Sequence, residues 1–495
     1  MYFTLNHPLT RFLLLGIAGI FYTLSFAPYD IKVLAYFSLL IFIFILLGTD
    51  KKSSIKLSFF YGFIIFLSGV YWIFNSIYAY GGENYFISIL LTFLFIFTLS
   101  LTFVPFGFIV NNKLKDTKRY LPLIISSAWV LVEIIRSHIF GGFPWLLLGT
   151  SQVGTYLDVF FPLFGTYFIS FSVVLISSSL AIYFNDKNRK FVNMTYASLL
   201  FLLILIFNIF NYSWTINSQN LFKFSIIQPN IKQELKFNNE ELESIKNKYK
   251  SLTFKNNNSD LVIWPETALP FLYENNKSYY KNIILENNIS LLSGIFRYTK
   301  SNGNIFNSIV LLDTKEQFYD KRHLVPFGEY MPLKPFSQFL ANILNLPMSN
   351  LSKGIDNQEN IMIGDINIYS LICYEAAYPY LMNIKDDEFG IIVNISNDAW
   401  FGNSEAPFQH LQIAQSRALE SSRYLIRAAN TGISAVINPQ GVILQKLDLD
   451  SEGVINSEIY ASKGQTPYMY FGDYPILMLI FTFIFIHFRQ QKKYG

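Results

Sequence analysis

Long uncharged, apolar blocks separated by short charged breaks dominate the first 212 residues. Between Arg11 and Asp30 lie 18 uncharged residues, between Lys32 and Asp50 17, between Lys56 and Glu83 26, and between Glu83 and Lys113 29. Two further blocks, Asp158 to Asp186 and Lys190 to Lys223, enclose 27 and 32. Each is rich in Phe, Ile and Leu, and a helix needs about 20 apolar residues to cross the hydrocarbon core. The pattern predicts spans near 10–28, 32–49, 57–78, 87–110, 160–184 and 193–212. A seventh is predicted near 120–139 despite Glu133 and Arg136, which sit three apart on one helical face and can pair or snorkel. An eighth is predicted near 470–488. The first block has no small-residue cleavage site and is read as a retained span.

The pattern changes between 213 and 466. There short β-rich runs recur: FSIIQ (224–228), LVIW (261–264), ISLLSGIF (289–296), NSIVLLD (307–313), INIYSLIC (366–373), FGIIVNIS (389–396) and ISAVINPQGVILQKL (433–447), the last with a hairpin turn at Asn438–Gly441. Helical stretches intervene at 238–255, acidic early and basic late as the helix dipole favours, and at 406–429. Buried strands alternating with helices predict an α/β domain. The predicted architecture is therefore a polytopic α-helical membrane protein of about eight transmembrane helices with an inserted α/β domain. Its divisions are 1–212 (seven helices), 213–466 (the inserted domain) and 467–495 (a last helix and a basic tail).

Charge adds an orientation. Alternate loops carry fourteen Lys and Arg: Arg11; Lys51, Lys52, Lys56; Lys113, Lys115, Lys118, Arg119; Lys187, Arg189, Lys190; Arg489, Lys492, Lys493. The opposite short loops carry two, Lys32 and Arg136. Under the positive-inside rule both termini are cytoplasmic and the inserted domain lies outside. That domain has 22 basic and 26 acidic residues, and the whole chain is only +4, which gives no footing for nucleic-acid binding. Composition agrees with a membrane part: 52% hydrophobic and 15% charged, against roughly 25% charged in ordinary soluble domains. One cysteine and five scattered histidines exclude a disulfide framework and a Cys-cluster metal site.

Three residues stand out chemically. Cys373 ends the run INIYSLIC, where a strand-to-helix turn would expose a nucleophile beside backbone N–H groups, although a lone Cys there also reads as a small core residue. Glu266 follows Trp264–Pro265 in DLVIWPETALP, a carboxylate at a strand's carboxyl edge suited to a general base, or equally a helix-opening acid. Lys321 opens a basic knot in FYDKRHLVPFGEYMP, read either as a solvated turn or as an ammonium that stabilises an oxyanion and supports a thiolate. A further uncharged stretch, 137–157, is broken by Gly141, Gly142 and Pro144. With Phe143 and Trp145 it reads either as a buried connection or as a lipid-facing loop beside a site.

The order Glu, Lys, Cys, with WPET, KRHLVPFGEYMP, ICYE and NDAWFG, resembles the nitrilase (carbon–nitrogen hydrolase) superfamily, whose Glu-Lys-Cys triad sits on an α-β-β-α sandwich. With the apolar blocks and FGGFPWLLLG (140–149), the chain as a whole resembles the membrane-embedded branch of that superfamily, the apolipoprotein N-acyltransferases. The resemblance implies an acyltransferase of the bacterial inner membrane with a periplasmic catalytic domain and no metal or other cofactor. Its partners would be a phospholipid acyl donor such as phosphatidylethanolamine, diacylglyceryl apolipoproteins and the lipid bilayer. By resemblance Glu266 is the general base, Lys321 the oxyanion-supporting cation and Cys373 the nucleophile. Glu329, Tyr374 and Glu375 support them, and Phe143, Trp145, Phe237 and Trp400 are substrate-loop candidates. At Phe237 the family commonly has Trp; Phe keeps the ring and loses the N–H donor. A membrane-tethered amidase acting on a small C–N substrate would use the same triad, but one span would suffice as its tether. A transporter with a binding ectodomain predicts ionisable residues along its spans, and these are almost free of them.

Overall fold

The computed structural model describes residues 7–494 apart from 83, 113–119, 186–189, 211, 256–258, 302 and 332–349. Of the loop charges counted above, Lys113, Lys115, Lys118, Arg119, Lys187 and Arg189 lie outside the described residues, as does Pro332 of KRHLVPFGEYMP. The chain forms two compact units: Met1–Tyr78, Asn84–Tyr212 and Pro467–Gly495 make a helical one, and Ser213–Thr466 with the short segment Ala79–Glu83 make the other.

Every expected span falls on a helix, but the helices differ in length. Among the described residues Tyr85–Ile109, Leu121–Gly141 and Asp158–Asn185 are long and apolar enough to cross a membrane. Lys51–Gly69 and Ile73–Ala79 would form a fourth if the pair, bent by 61°, is a single span. The apolar helices Pro8–Leu24, Val33–Leu47, Met194–Phe210 and Tyr474–Arg489 are no longer than 17 residues. Intervals between charges overstate helix length because they include uncharged turn residues. Gly48 and Thr49 close the second helix, and Val70 ends the third in a non-helical conformation. Other ends are set by caps: the Asp50 side chain accepts from the N–H of Lys52 and Ser53, and Asn84 accepts from Ile87 N–H.

The helical unit packs through aromatic rings and small residues. Phe42 stacks on Tyr61 with centroids 3.9 Å apart, and Trp129 meets Phe103 and Phe106 edge-on. A Cβ at Gly62 would come within 2.6 Å of the Phe103 ring, so glycine permits that approach. Glu133 and Arg136 each turn to the backbone of the following loop. Glu133 Oε1 accepts from Leu148 N–H at 2.8 Å and from the Trp129 indole at 3.0 Å. The Arg136 guanidinium donates to the carbonyls of Phe143 (3.0 Å), Trp145 and Leu146 (3.4 Å). Two charges in an apolar helix thereby find polar partners in the peptide groups of a non-helical loop. The loop enters through Gly142 at φ +80°, where a Cβ would lie 2.0 Å from the Ser137 carbonyl oxygen. Trp145 is fully buried against Trp72, Phe143 is half-buried, and the exposed rings and chains here are Ile139 and Phe140.

In the second unit, twelve strands among the described residues join one hydrogen-bonded sheet. They are β1 (Ile216–Gln228), β2 (Leu261–Ile263), β3 (Ser290–Thr299), β4 (Asn304–Leu312), β5 (Glu316–Asp320), β6 (Ile361–Ile363), β7 (Ile366–Ile372), β8 (Gly390–Ser396), β9 (Leu425–Ala429), β10 (Ala435–Ile437), β11 (Ile443–Lys446) and β12 (Gly453–Lys463). Two parallel sets, β1–β2–β3 and β7–β8–β9, are linked through β12, antiparallel to both β1 and β8. The expected hairpin joins β10 to β11, its turn held by the Asn438 side chain accepting from Gln440 and Val442 N–H. Helices Leu242–Phe254 and Tyr273–Asn287 bury Tyr249, Leu252, Tyr280 and Ile283 against Val262, Trp264, Leu291 and Val310. Parallel sets of this kind present the carboxyl ends of several strands together, where polar side chains can converge.

Replacing Arg136 by Leu removes the guanidinium from the carbonyls of Phe143, Trp145 and Leu146. The detergent-solubilised protein should lose stability on the order of 3 kcal/mol, read as a lower melting temperature. An unchanged melting temperature would show that the guanidinium does not hold the loop.

Candidate active site

Four strand ends build the site. After β2, Trp264 N–H still bonds Leu292, Pro265 turns the chain, and Glu266 follows with Thr267 in the left-handed region at φ +48°. Lys321 follows β5, its N–H on the Asn307 carbonyl at 2.9 Å. Cys373 follows β7 at φ +52°, a conformation that L-residues adopt only when the surroundings enforce it. Asn397 follows β8.

The Glu266 and Lys321 side chains meet there, and Asn397 adds its peptide N–H. Lys321 Nζ lies 2.9 Å from Glu329 Oε1 and 3.6 Å from Glu266 Oε1. Asn307 Nδ2 bridges the same two carboxylates, donating to each at 2.8 Å. The second oxygen of Glu266 accepts from Asn397 N–H at 2.9 Å, and that of Glu329 from Val325 N–H at 2.8 Å. Glu266 is thus aimed by an amide side chain, a peptide N–H and an ammonium. A further buried cation, Lys236, donates to the Glu266 carbonyl oxygen at 3.1 Å. Burial holds its pKa down to about 8, against the pull of Glu266.

Charge placement decides the resting state of the thiol. Cys373 is 8% exposed. Burial first, and the Glu266 carboxylate second, push it well above the ordinary thiol range, more than Lys321 lowers it. Burial alone would lower Lys321, but Glu329, then Glu266 and Cys373 hold it above the usual lysine value. The resting site therefore contains a neutral thiol, a carboxylate and an ammonium, so a proton leaves Cys373 only as another group takes it.

The other expected residues take different places. Glu375 is a buried clamp: its carboxylate accepts from the N–H of Ile372 (2.8 Å), Arg322 (2.6 Å) and His323 (3.1 Å) and from Tyr319 Oη (3.0 Å). It ties the Lys321–Arg322–His323 knot to the turn that holds Cys373. Burial raises its pKa, opposed by those N–H groups and by Arg322. Tyr374 packs edge-on against Tyr378 at 5.3 Å. Phe237 ends the short helix Gln233–Lys236 and is 51% exposed, and Trp400 is 40% exposed. Phe143 and Trp145 belong to the helical unit. Asn307, Asn397, Lys236 and Tyr319 also meet these residues, and the sequence pattern alone does not single them out. The available signals were a polar Asn inside the apolar NSIVLLD run and the Asn opening NDAWFG. Among the described residues, no group of three or more His, Cys, Asp and Glu is arranged to hold a metal ion.

A Cβ on Gly294 of β3 would lie 2.5 Å from Glu266 Cα and 2.6 Å from Thr267 N. Gly294→Ala should therefore displace the carboxylate and cut the site's turnover at least tenfold while expression persists; full activity would show that the position of Glu266 is not critical. The raised thiol also gives a pH signature. Alkylation of Cys373 by iodoacetamide should keep accelerating beyond pH 9, where an ordinary thiol levels off. A plateau below pH 8 would reveal a resting thiolate–ammonium pair.

Two family models match the chain. Residues 18–179 match the apolipoprotein N-acyltransferase N-terminal domain and residues 224–468 the carbon–nitrogen hydrolase domain. The chain is similar to apolipoprotein N-acyltransferases of Coxiella burnetii (33% identity, 95% of this chain and 98% of that one) and Pseudomonas syringae pv. tomato (31%, 96% of each). A relative of the same description from Wigglesworthia glossinidia brevipalpis is 33% identical over 95% of this chain and 96% of its own.

Proposed function

The chain belongs to the apolipoprotein N-acyltransferase family, a bacterial membrane protein that transfers an acyl chain to apolipoproteins, and we propose that Glu266, Lys321 and Cys373 carry the reaction. The observation that supports this most is the Lys321 ammonium, 3.6 Å from the Glu266 carboxylate, in a site whose strained Cys373 feels both charges.

The reaction runs in two halves. Glu266 takes the Cys373 proton as Sγ attacks the ester carbonyl of a phospholipid, with phosphatidylethanolamine the proposed donor. Lys321 and a backbone N–H beside Cys373 meet the oxyanion. The C–O bond then breaks, the lysophospholipid alkoxide takes the proton back from Glu266, and a thioester remains on Cys373. The free α-amino group of the S-diacylglyceryl cysteine of an apolipoprotein attacks that thioester. Glu266 accepts the amine proton, the C–S bond breaks, and the proton returns to the thiolate. Ester and amine have become lysophospholipid and amide, and the enzyme is unchanged.

Glu329 orients Lys321, Glu375 fixes the nucleophile turn, and Tyr374 flanks it. Phe143, Trp145, Phe237 and Trp400 are proposed as substrate-loop residues. Both substrates carry acyl chains, each buried CH₂ of which is worth about 0.8 kcal/mol, so an enzyme residing in the bilayer avoids extracting them. We further infer eight spans, counting the bent pair and the four shorter apolar helices, with both termini cytoplasmic. The domain at 213–466, an α-β-β-α sandwich, then faces the periplasm. The loop-charge asymmetry supports that orientation.

The test is kinetic. Glu266→Gln should lower acyl transfer about 10²–10⁴-fold. Cys373→Ser should be similarly impaired, because a carboxylate cannot readily ionise an alcohol of pKa ~16. Lys321→Arg should also fail, since a planar guanidinium does not replace a point ammonium in a tight site. Near-normal turnover by any one of them would remove that residue from the mechanism.

A further inference from the structure

Behind the nucleophile lies a buried polar network that the mechanism above does not use. His410, on helix Ala406–Ser421, places Nε2 3.1 Å from the carbonyl oxygen of Cys373. Its Nδ1 lies 3.0 Å from Asp398 Oδ1 and 2.9 Å from Arg427 Nη2. Arg427 also donates to Asp398 Oδ2 at 2.7 Å and to Asn394 Oδ1, and Ser396 Oγ donates to Asp398 Oδ1 at 2.6 Å. His410, Asp398 and Arg427 are at most 1% exposed.

Chemistry fixes the ring. A carbonyl oxygen only accepts, so Nε2 carries the hydrogen, while Nδ1 faces both an acceptor, Asp398 Oδ1, and a donor, Arg427 Nη2. Burial, then the Arg427 charge, lower the imidazole pKa, and Asp398 opposes them. Asp398 stays ionised: burial opposes this, but Arg427 and then His410 hold its carboxyl well below the usual range. His410 faces the peptide oxygen, so the neighbouring His and Asp do not form a base for the thiol.

The peptide it holds matters. A trans peptide points its C=O and N–H in opposite directions. Tying down the Cys373 carbonyl therefore sets the direction of the Tyr374 N–H, and a hydrogen bond on the oxygen polarises that N–H as a donor. The strained Cys373 is anchored on both sides, by Glu375 on Ile372 N–H before it and by His410 on its own carbonyl after it.

We propose that His410, locked by Asp398 and Arg427, is a positioning residue that aims the Tyr374 N–H at the oxyanion formed during acyl transfer to and from Cys373. The proposal rests on the reading of Cys373 as nucleophile. It is distinct from the roles of Glu266 and Lys321, because it acts through one peptide bond and exchanges no proton with substrate.

The experiment compares two amide variants in the full-length protein. Gln places its amide nitrogen where Nε2 lies and can still donate to Cys373; Asn is one methylene shorter and cannot reach. Thioester formation from phosphatidylethanolamine vesicles is measured beside iodoacetamide alkylation of Cys373, which needs the thiol but creates no oxyanion. His410→Asn should lose about 10²-fold in the thioester rate with KM little changed, while alkylation stays within about threefold of wild type. His410→Gln should recover at least tenfold of that loss. A structural role alone would move both reactions together, so a parallel fall in alkylation overturns the proposal, as does a wild-type thioester rate in His410→Asn. Should His410→Asn fail to accumulate in the membrane, His410→Gln decides. A ratio of acylation to alkylation within about threefold of wild type supports the proposal, and a ratio ten or more times lower contradicts it. If the wild-type protein itself forms no thioester on Cys373, the failure belongs to the nucleophile reading instead.

Discussion

One constraint governs the site: charges taken out of water must be balanced at short range. Two carboxylates, Glu266 and Glu329, meet one ammonium, Lys321, with Asn307 bridging them and a second ammonium, Lys236, on the Glu266 backbone. That set is already near neutrality. Adding a thiolate would leave an uncompensated negative charge in a low-dielectric space, which is why Cys373 rests protonated. The same balance makes Glu266 an effective base at the moment of attack. The proton it takes from Cys373 moves negative charge toward the sulfur and then toward an oxyanion, both within the field of Lys321. Proton transfer and charge stabilisation are thus supplied by two side chains whose separation the surrounding hydrogen bonds fix.

Much of this was legible in the sequence because the chemistry-bearing residues sit at strand ends. A run such as INIYSLIC announces its strand by apolar content, and the residue that ends it inherits a defined position. LVIW works the same way for Glu266. The middle of the sheet was harder to read. β12, GVINSEIYASK, alternates polar residues and lacks the apolar run that marks a buried strand, yet it joins the two parallel sets. The first half of β1 is exposed and polar for the same reason, so only 224–228 was legible. The supporting groups were hidden for another cause. The Asn397 contribution is a peptide N–H, which any residue would provide, and the clamp made by Glu375 depends on three backbone donors from two segments fifty residues apart. No local pattern encodes such meetings.

The helical unit teaches a parallel lesson about buried charge. Glu133 and Arg136 are three residues apart, and pairing with each other was one expectation. Each instead satisfies peptide groups of the broken segment 143–148. A non-helical loop between apolar helices exposes carbonyls and N–H groups that lipid cannot satisfy, and two ionisable side chains meet that need. This also accounts for Trp145, whose ring is buried in the unit while Ile139 and Phe140 are exposed. Span lengths were overstated where uncharged turns such as Gly48–Thr49 follow a helix, since a count of charges cannot see a turn made of neutral residues.

The central claim is that the thiol of Cys373 holds the acyl group between donor and acceptor. It is tested most directly by mass spectrometry of the Cys373 peptide after the wild-type protein is incubated with phosphatidylethanolamine and no apolipoprotein. The account predicts one hydroxylamine-labile acyl group on that peptide, which disappears when a diacylglyceryl peptide with a free α-amine is added. Turnover with no acyl group on Cys373 at any time, or with the label on another residue, would contradict it.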